Sequence, residues 1–269
     1  MAERDFPESA DIVIVGVGGI VGASLAYFLS ELGVRNIVGL EKAGSVPSDI
    51  GSTSHASDFI FNTGHDKLSN WTTAYSRNFY AENGFFFERG GMEICRPDDP
   101  ERWEELKRKV ASGKAFGTNA RLISASEATE KFPLLEESAI RGAMWDPNAG
   151  LVVPRSLDFV LEMVSRAEKK GNLRNFTNTP ASGFEIEGDR VKGVHTKRGT
   201  IRAPLVVVTA GIWGPAVGDL AGVPVPLWPV EHPLLFFGPL ESIQGTSEYL
   251  VHPLMRDQGN SAYVRDTGR

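Results

Sequence analysis

Short unbroken apolar runs that end in glycine organise the start of the chain. Asp11-Ile12-Val13-Ile14-Val15 is the first, with the pattern of a strand buried on both faces. Gly16-Val17-Gly18-Gly19-Ile20-Val21-Gly22 follows, and Ala23 to Leu29 then carry apolar residues at helical spacing until Gly33 can end the helix. Asn36 to Leu40 is a second buried strand, closed by Glu41. Strand, glycine turn, helix and strand in this order predict a βαβ unit and therefore a parallel sheet.

Further along, Ser48 to Asn62 reads as a loop, and Trp71, Tyr75 and Phe79 fall on one face of a helix. β-formers return between Phe85 and Arg96, and Ser124-Ala-Ser-Glu127 has the form of a capping box opening another helix. Phe184 to Glu187, Val191 to Thr196 and Thr200-Ile201-Arg202 predict a hairpin meander with its second turn at Lys197-Arg198-Gly199. Leu205-Val206-Val207-Val208-Thr209 is another buried strand, which must share a sheet with Ile12 to Val15 if the fold is doubly wound. Pro224, Pro226, Pro229, Pro233 and Pro239 make the following segment extended and irregular. These patterns divide the chain into a discontinuous first domain, residues 1–84 and 145–221, and a second built from 85–144 and 222–269.

Composition narrows the classes. With 41% hydrophobic and 23% charged residues the chain is globular in character, and its net charge of -6 with no basic track disfavours a nucleic-acid partner. Cys95 is the single cysteine, so neither a disulfide nor a thiolate metal cluster supports the fold, no metal is expected, and a reducing compartment fits. The acidic residues of Met1-Ala-Glu-Arg-Asp-Phe-Pro-Glu suit neither a signal nor a transit peptide, and no apolar stretch is long enough to span a bilayer. A cytoplasmic location is the resulting expectation.

The glycine turn carries the first chemistry. Backbone without side chains lets a pyrophosphate approach a helix N-terminus, where free N–H groups and the dipole favour anions. Glu41, at the end of the second strand, can accept hydrogen bonds from ribose hydroxyls. The turn is seven residues long rather than six, so either Gly18 or Gly19 can be the middle glycine. A tight strand-to-helix turn without a ligand is the bland alternative, and nicotinamide and flavin dinucleotides share the fingerprint.

The loop that follows discriminates. Gly51-Ser52-Thr53-Ser54-His55-Ala56, together with Glu41, Thr209-Ala210-Gly211-Ile212-Trp213 and the proline-rich tail, resembles the D-amino-acid-oxidase-like flavoproteins. Within that superfamily the chain is most similar to dimethylglycine oxidase, dimethylglycine dehydrogenase and sarcosine dehydrogenase, through Phe132-Pro-Leu-Leu135, Gly142-Ala-Met-Trp145 and Val223-Pro-Val-Pro226 among others. The resemblance implies an α/β fold: a Rossmann-like FAD-binding parallel sheet with an inserted α+β substrate domain of mixed or antiparallel sheet. It also implies that the chain is cut short at its C-terminus, inside a hairpin of the substrate sheet, and that a folate-binding module can follow in the full-length protein.

The cofactor set carried over by resemblance is Gly16, Gly18, Gly19, Gly22, Glu41, Lys42, Gly51, Ser52, Thr53, Ser54, His55, Ala181, Ala210, Gly211 and Trp213. His55 matches the histidine that carries the flavin covalently; a histidine bonded to a loop carbonyl is the structural alternative. Asp58 stands where the relatives have glycine, which would bring a carboxylate toward the flavin or move the loop. His232 matches the histidine that assists amine deprotonation, and Tyr263 the tyrosine that joins it. His65, His195 and His252 are expected on surface segments, and the Glu101 to Lys109 charges on a solvated helix face.

The function implied is FAD-dependent oxidation of a secondary or tertiary amine of the N-methylglycine type, sarcosine or dimethylglycine, by hydride transfer to flavin. A non-catalytic flavin-binding fragment and an NAD-dependent dehydrogenase are the two alternatives.

Overall fold

The computed structural model describes residues 5–241 and 249–268. Residues 242–248 and 269 of the expected second domain, and 1–4 of the first, lie outside them. In chain order the regular elements are β1 (Ile12–Val15), α1 (Ile20–Glu31), β2 (Ile37–Leu40), β3 (Phe59–Ile60), α2 (Lys67–Glu82), β4 (Phe86–Glu88), β5 (Gly91–Cys95), α3 (Pro100–Ala115), β6 (Arg121–Ser124) and α4 (Ala125–Lys131). They continue with β7 (Gly142–Asp146), β8 (Gly150–Val152), α5 (Ser156–Lys169), β9 (Leu173–Phe176), β10 (Gly183–Glu187), β11 (Arg190–Thr196), β12 (Gly199–Arg202), β13 (Leu205–Val208), α6 (Gly214–Leu220), β14 (Leu254–Asp257) and β15 (Ala262–Val264).

The chain divides into two compact units, residues 1–56 with 155–233 and residues 57–154 with 234–269. The first is organised by a four-stranded sheet in the order β13-β1-β2-β9, with every neighbouring pair parallel. Leu205 lies opposite Ile12 and Val208 opposite Val15, so the late apolar strand does join the first one. It is not the buried strand expected, because β13 is an edge of the sheet and leaves Leu205 and Val208 exposed. Side chains alternate across a strand. Val13, Val15, Val38 and Leu40 accordingly pack on Val194 and Ile201 of the antiparallel β10-β11-β12 meander. Burial on both faces is why β1 and β2 are continuous apolar runs, and each fully buried aliphatic side chain there contributes roughly 1.5–3 kcal/mol. Gly33 follows α1 with φ 85°, the left-handed turn that ends the helix.

The second unit holds a mixed five-stranded sheet, β15-β14-β5-β7-β6, and a three-stranded antiparallel sheet, β3-β8-β4. Met92, Ile94 and Ile123 face Ala128 and Phe132 of the α4 region, while Cys95 and Met144 face Leu106 and Trp103 of α3. Ser124 caps α4 by accepting from the Glu127 N–H at 3.1 Å. The reciprocal arm of the box is not made, because the Glu127 carboxylate is taken by Arg121 at 2.9 Å. Trp71, Tyr75 and Phe79 do form one aromatic row on α2.

Four further expectations are corrected. Residues 57–84 and 145–154 belong to the second unit, because β3 pairs with β8, Phe59 opposite Leu151, and β8 with β4. Residues 222–233 belong to the first: Val223 N–H donates to the Gly218 carbonyl at 2.9 Å, folding the segment back on α6. The charged helix is not wholly a solvated face. Lys109 is 5% exposed, and its Nζ lies 2.8 Å from Oε2 of Glu93, itself 1% exposed. Strand alternation explains this, since Glu93 sits between Met92 and Ile94 and so points to the α3 side of β5. Lastly, His252 is not a surface histidine: its side chain is 16% exposed, with Nδ1 3.2 Å from the Asp266 carboxylate.

Candidate cofactor and active site

A cavity of about 360 Å³ opens at the carboxyl ends of β1, β2 and β13, wholly within the first unit. Gly16, with φ 99°, takes the chain from β1 into the turn, and a Cβ there would stand 2.7 Å from the Thr209 carbonyl oxygen. Thr209 closes the same corner, its Oγ1 lying 3.0 Å from the Gly16 carbonyl oxygen and its N–H donating to the Val15 carbonyl at 2.8 Å.

The next two glycines have different duties. A Cβ on Gly18 would fall 2.6 Å from Oε2 of Glu41, whereas one on Gly19 would meet only Thr53 Oγ1, at 3.6 Å. Gly18 is small so that Glu41 can approach; Gly19, the residue before α1, lines the cavity. Glu41 is 6% exposed and held by two amides, Oε2 accepting from Gly18 at 3.0 Å and Oε1 from Ala43 at 2.9 Å. A carboxylate has about four lone-pair sites, so two directions stay open for hydroxyl donors. Gly22 is buried under α1 against the Gly16 turn.

The Ser-Thr-rich loop supplies what Gly19 lacks. With no side-chain oxygen on Gly19 to cap α1, Thr53 Oγ1 accepts from the Ile20 N–H at 3.1 Å. Gly51, Ser52 and Thr53 line the cavity, and Arg155 holds the loop from behind, donating to the Ser54 carbonyl at 2.7 Å. His55 ends the turn Ser52–His55 and is exposed; it and Ser54 are not part of the cavity wall. Its Nδ1 lies 3.1 Å from the Gly51 carbonyl oxygen and 2.8 Å from Ser54 Oγ. A carbonyl oxygen only accepts, so Nδ1 carries the proton. The Ser54 hydroxyl in turn has carbonyl acceptors at Asp49 and Gly51, 2.9 and 2.6 Å away. In the neutral ring this tautomer leaves the lone pair on Nε2.

Ala181, Ala210, Gly211 and Trp213 complete the expected lining, and the Lys42 ammonium lies 4.1 Å from the Trp213 ring centroid. Several wall residues were not anticipated, chiefly Ser48, Thr179, Pro180 and Val217. Thr179 and Pro180 had a readable signal: they follow β9, whose carboxyl end must lie at the same edge in a parallel sheet. Asp58, in the second unit, has φ 62°, a left-handed conformation that glycine adopts freely and that Asp is among the few other residues to tolerate. His232 lies in the extended stretch before Pro233 in the first unit, and Tyr263 lies on β15 in the second. Among the described residues, no group of three His, Cys, Asp or Glu is placed to hold a metal, and no helix is long and apolar enough to cross a membrane.

Comparison with known proteins decides the family. The FAD dependent oxidoreductase family, DAO, matches residues 11–269. The chain belongs to this family. Human mitochondrial sarcosine dehydrogenase is 30% identical to it over 278 residues, covering 98% of this chain and 29% of that protein. Human mitochondrial dimethylglycine dehydrogenase is 30% identical over 271 residues, covering 98% and 30%. The chain therefore spans under a third of the length of these curated relatives. Among solved structures, L-proline dehydrogenase from P. horikoshii has the same fold, with a TM-score of 0.78 and 24% identity over 97% of this chain and 68% of that one.

For a DAO family member the cavity fits the cofactor. FAD brings a pyrophosphate, a ribose diol and an adenine, and the wall offers a helix N-terminus, a fixed buried carboxylate and an apolar side at Pro180, Ala181 and Val217.

Proposed function

We propose that this chain binds FAD along the cavity and belongs to an enzyme that oxidises an N-methylated amino acid of the sarcosine or dimethylglycine type. The observation that carries the reading is Glu41, a buried carboxylate fixed by Gly18 and Ala43 beside the N-terminus of α1. The names of the two human relatives support the substrate class. In this reading the first unit is the cofactor domain and the second the substrate domain.

The remaining first-turn amides of α1, with the Thr53 hydroxyl that already accepts from Ile20, hold the pyrophosphate, Glu41 receives the ribose hydroxyls, and the base rests on Pro180 and Ala181. FAD bound there would supply the hydride acceptor for the substrate carbon. His232 takes the proton that the substrate ammonium must lose, and Tyr263 orients the amine. His55 is the attachment residue for a covalent flavin, and the geometry of its ring supports Nε2 as the attacking atom. A folate-binding module in the full-length protein and a reducing compartment, consistent with the buried thiol of Cys95, complete the proposal.

The test is anaerobic mixing of the full-length, FAD-loaded protein with sarcosine and with dimethylglycine. Bleaching of the flavin absorption is expected, slowed about 10²–10⁴-fold by His232→Gln. A yellow protein that no N-methylated amino acid reduces would be a flavin-binding protein without this activity.

A further inference from the structure

The loop that carries Thr53 is pinned at two places, and the second comes from a distant part of the chain. At its entry the Ser48 N–H donates to the Gly18 carbonyl at 2.9 Å. At its exit the Arg155 guanidinium donates to the Ser54 carbonyl at 2.7 Å, across 101 residues of sequence. The bonds that Ser54 itself donates, from its N–H to Gly51 and from its hydroxyl to Asp49 and Gly51, close the loop on itself and do not place it over α1. The chain leaves the first unit after Ala56 and returns at Arg155, so the hydrogen bond joins the two strands of chain at the point where the unit is interrupted. Arg155 is a firm post for this, because its carbonyl accepts the Asp158 N–H at 3.0 Å in the first turn of α5, and α5 packs along α1.

Thr53, the residue before Ser54, is the one whose Oγ1 accepts the Ile20 N–H at 3.1 Å. We propose that Arg155 is a positioning residue for the cofactor: by fixing the Ser54 carbonyl it sets the Thr53 hydroxyl on the first turn of α1. Arg155 is not part of the cavity wall and acts through the loop alone. A loop fixed before its ligand arrives spares binding the cost of ordering it. The proposal rests on the reading above, in which the first turn of α1 receives the FAD pyrophosphate.

The test uses the full-length protein in a His55→Ala background, so that FAD is held without a covalent bond, and follows flavin release by fluorescence. Arg155→Met should release FAD about 3- to 10-fold faster, the effect of one hydrogen bond, and Arg155→Lys, which keeps a charged donor, should recover part of the loss. Thr53→Val should also speed release, and adding Arg155→Met to it should change little more, since the arginine acts through the threonine. A guanidinium that only attracted the anion or only supported the fold would show its full effect in both backgrounds. That additivity overturns the proposal, as does unchanged release from Arg155→Met. Hydrogen exchange at the Ile20 amide gives a second measurement that needs no flavin: Arg155→Met should lose protection there as Thr53→Val does, and full protection in Arg155→Met overturns the proposal. Should the protein bind no FAD, the cofactor reading fails, and loss of Ile20 protection in Arg155→Met would still uphold Arg155 as the residue that places Thr53.

Discussion

Thr53 caps a helix that begins thirty-three residues earlier, its Oγ1 accepting the Ile20 N–H at 3.1 Å. The contact ties the Gly-Ser-Thr loop to the first turn of α1, the place where an anion would bind. Replacing Thr53 with Val removes the acceptor at nearly constant volume. The expected cost is about 1 kcal/mol of stability, together with faster release of FAD, while Thr53→Ser should retain both. Denaturant unfolding and flavin dissociation measure the two effects. Wild-type behaviour of the Val variant in both would show the contact to be incidental.

The His55 tautomer leads to a chemical prediction. With Nδ1–H directed at the Gly51 carbonyl, Nε2 is the nucleophile, and the full-length holoprotein should keep its yellow colour after acid precipitation. The peptide containing His55 should carry the mass of the flavin adduct, and His55→Ala should retain FAD only non-covalently. Complete release of flavin from the wild type into the acid supernatant would exclude the linkage.

The Glu93–Lys109 pair tests how the second unit is held. Both groups are buried, so Lys109→Met takes away the cation that hydrogen-bonds Glu93, leaves it only Arg102 at 3.9 Å, and should cost up to about 3–5 kcal/mol. The double replacement Glu93→Leu with Lys109→Met should cost less than either single one. A loss under about 1 kcal/mol for Lys109→Met, the range of surface pairs, would mean that water reaches the site.

Asp146 provides a pH signature. It has no exposure, and burial raises its pKa above the usual carboxylate range, outweighing the hydrogen bonds from Thr63, Asn62 and Asn148 that lower it. The folded state then holds the proton more tightly than the unfolded chain, whose value is about 3.9. Stability from this group should be fully present below about pH 3.9 and lost as pH rises through the folded value. Unfolding free energies of wild type minus Asp146→Asn should therefore increase toward acid in that window. A difference that decreases toward acid there, or a carboxyl carbon titrating below the ordinary range by NMR, contradicts the assignment.

The sequence by itself determined the parallel sheet and most of one wall of the cofactor site. Strands buried on both faces must be continuous apolar runs, and glycine turns that admit an anion leave few other residue choices, so β1, β2, Gly16 and Glu41 could be read directly, and β13 as an apolar run although Leu205 and Val208 stay exposed at the sheet edge. Three matters were decided only by the tertiary structure. The boundary of the units depends on β3, two residues long, whose place is set by its partner β8 rather than by any pattern of its own. The burial of Lys109 depends on strand β5 lying beneath α3, since a helical charge run reads the same whether or not an acid waits behind it. Which glycine serves the cavity and which serves Glu41 could not be read from a seven-residue turn, because both lack a side chain. Only the position of the Glu41 carboxylate, 3.0 Å from the Gly18 amide, separates them.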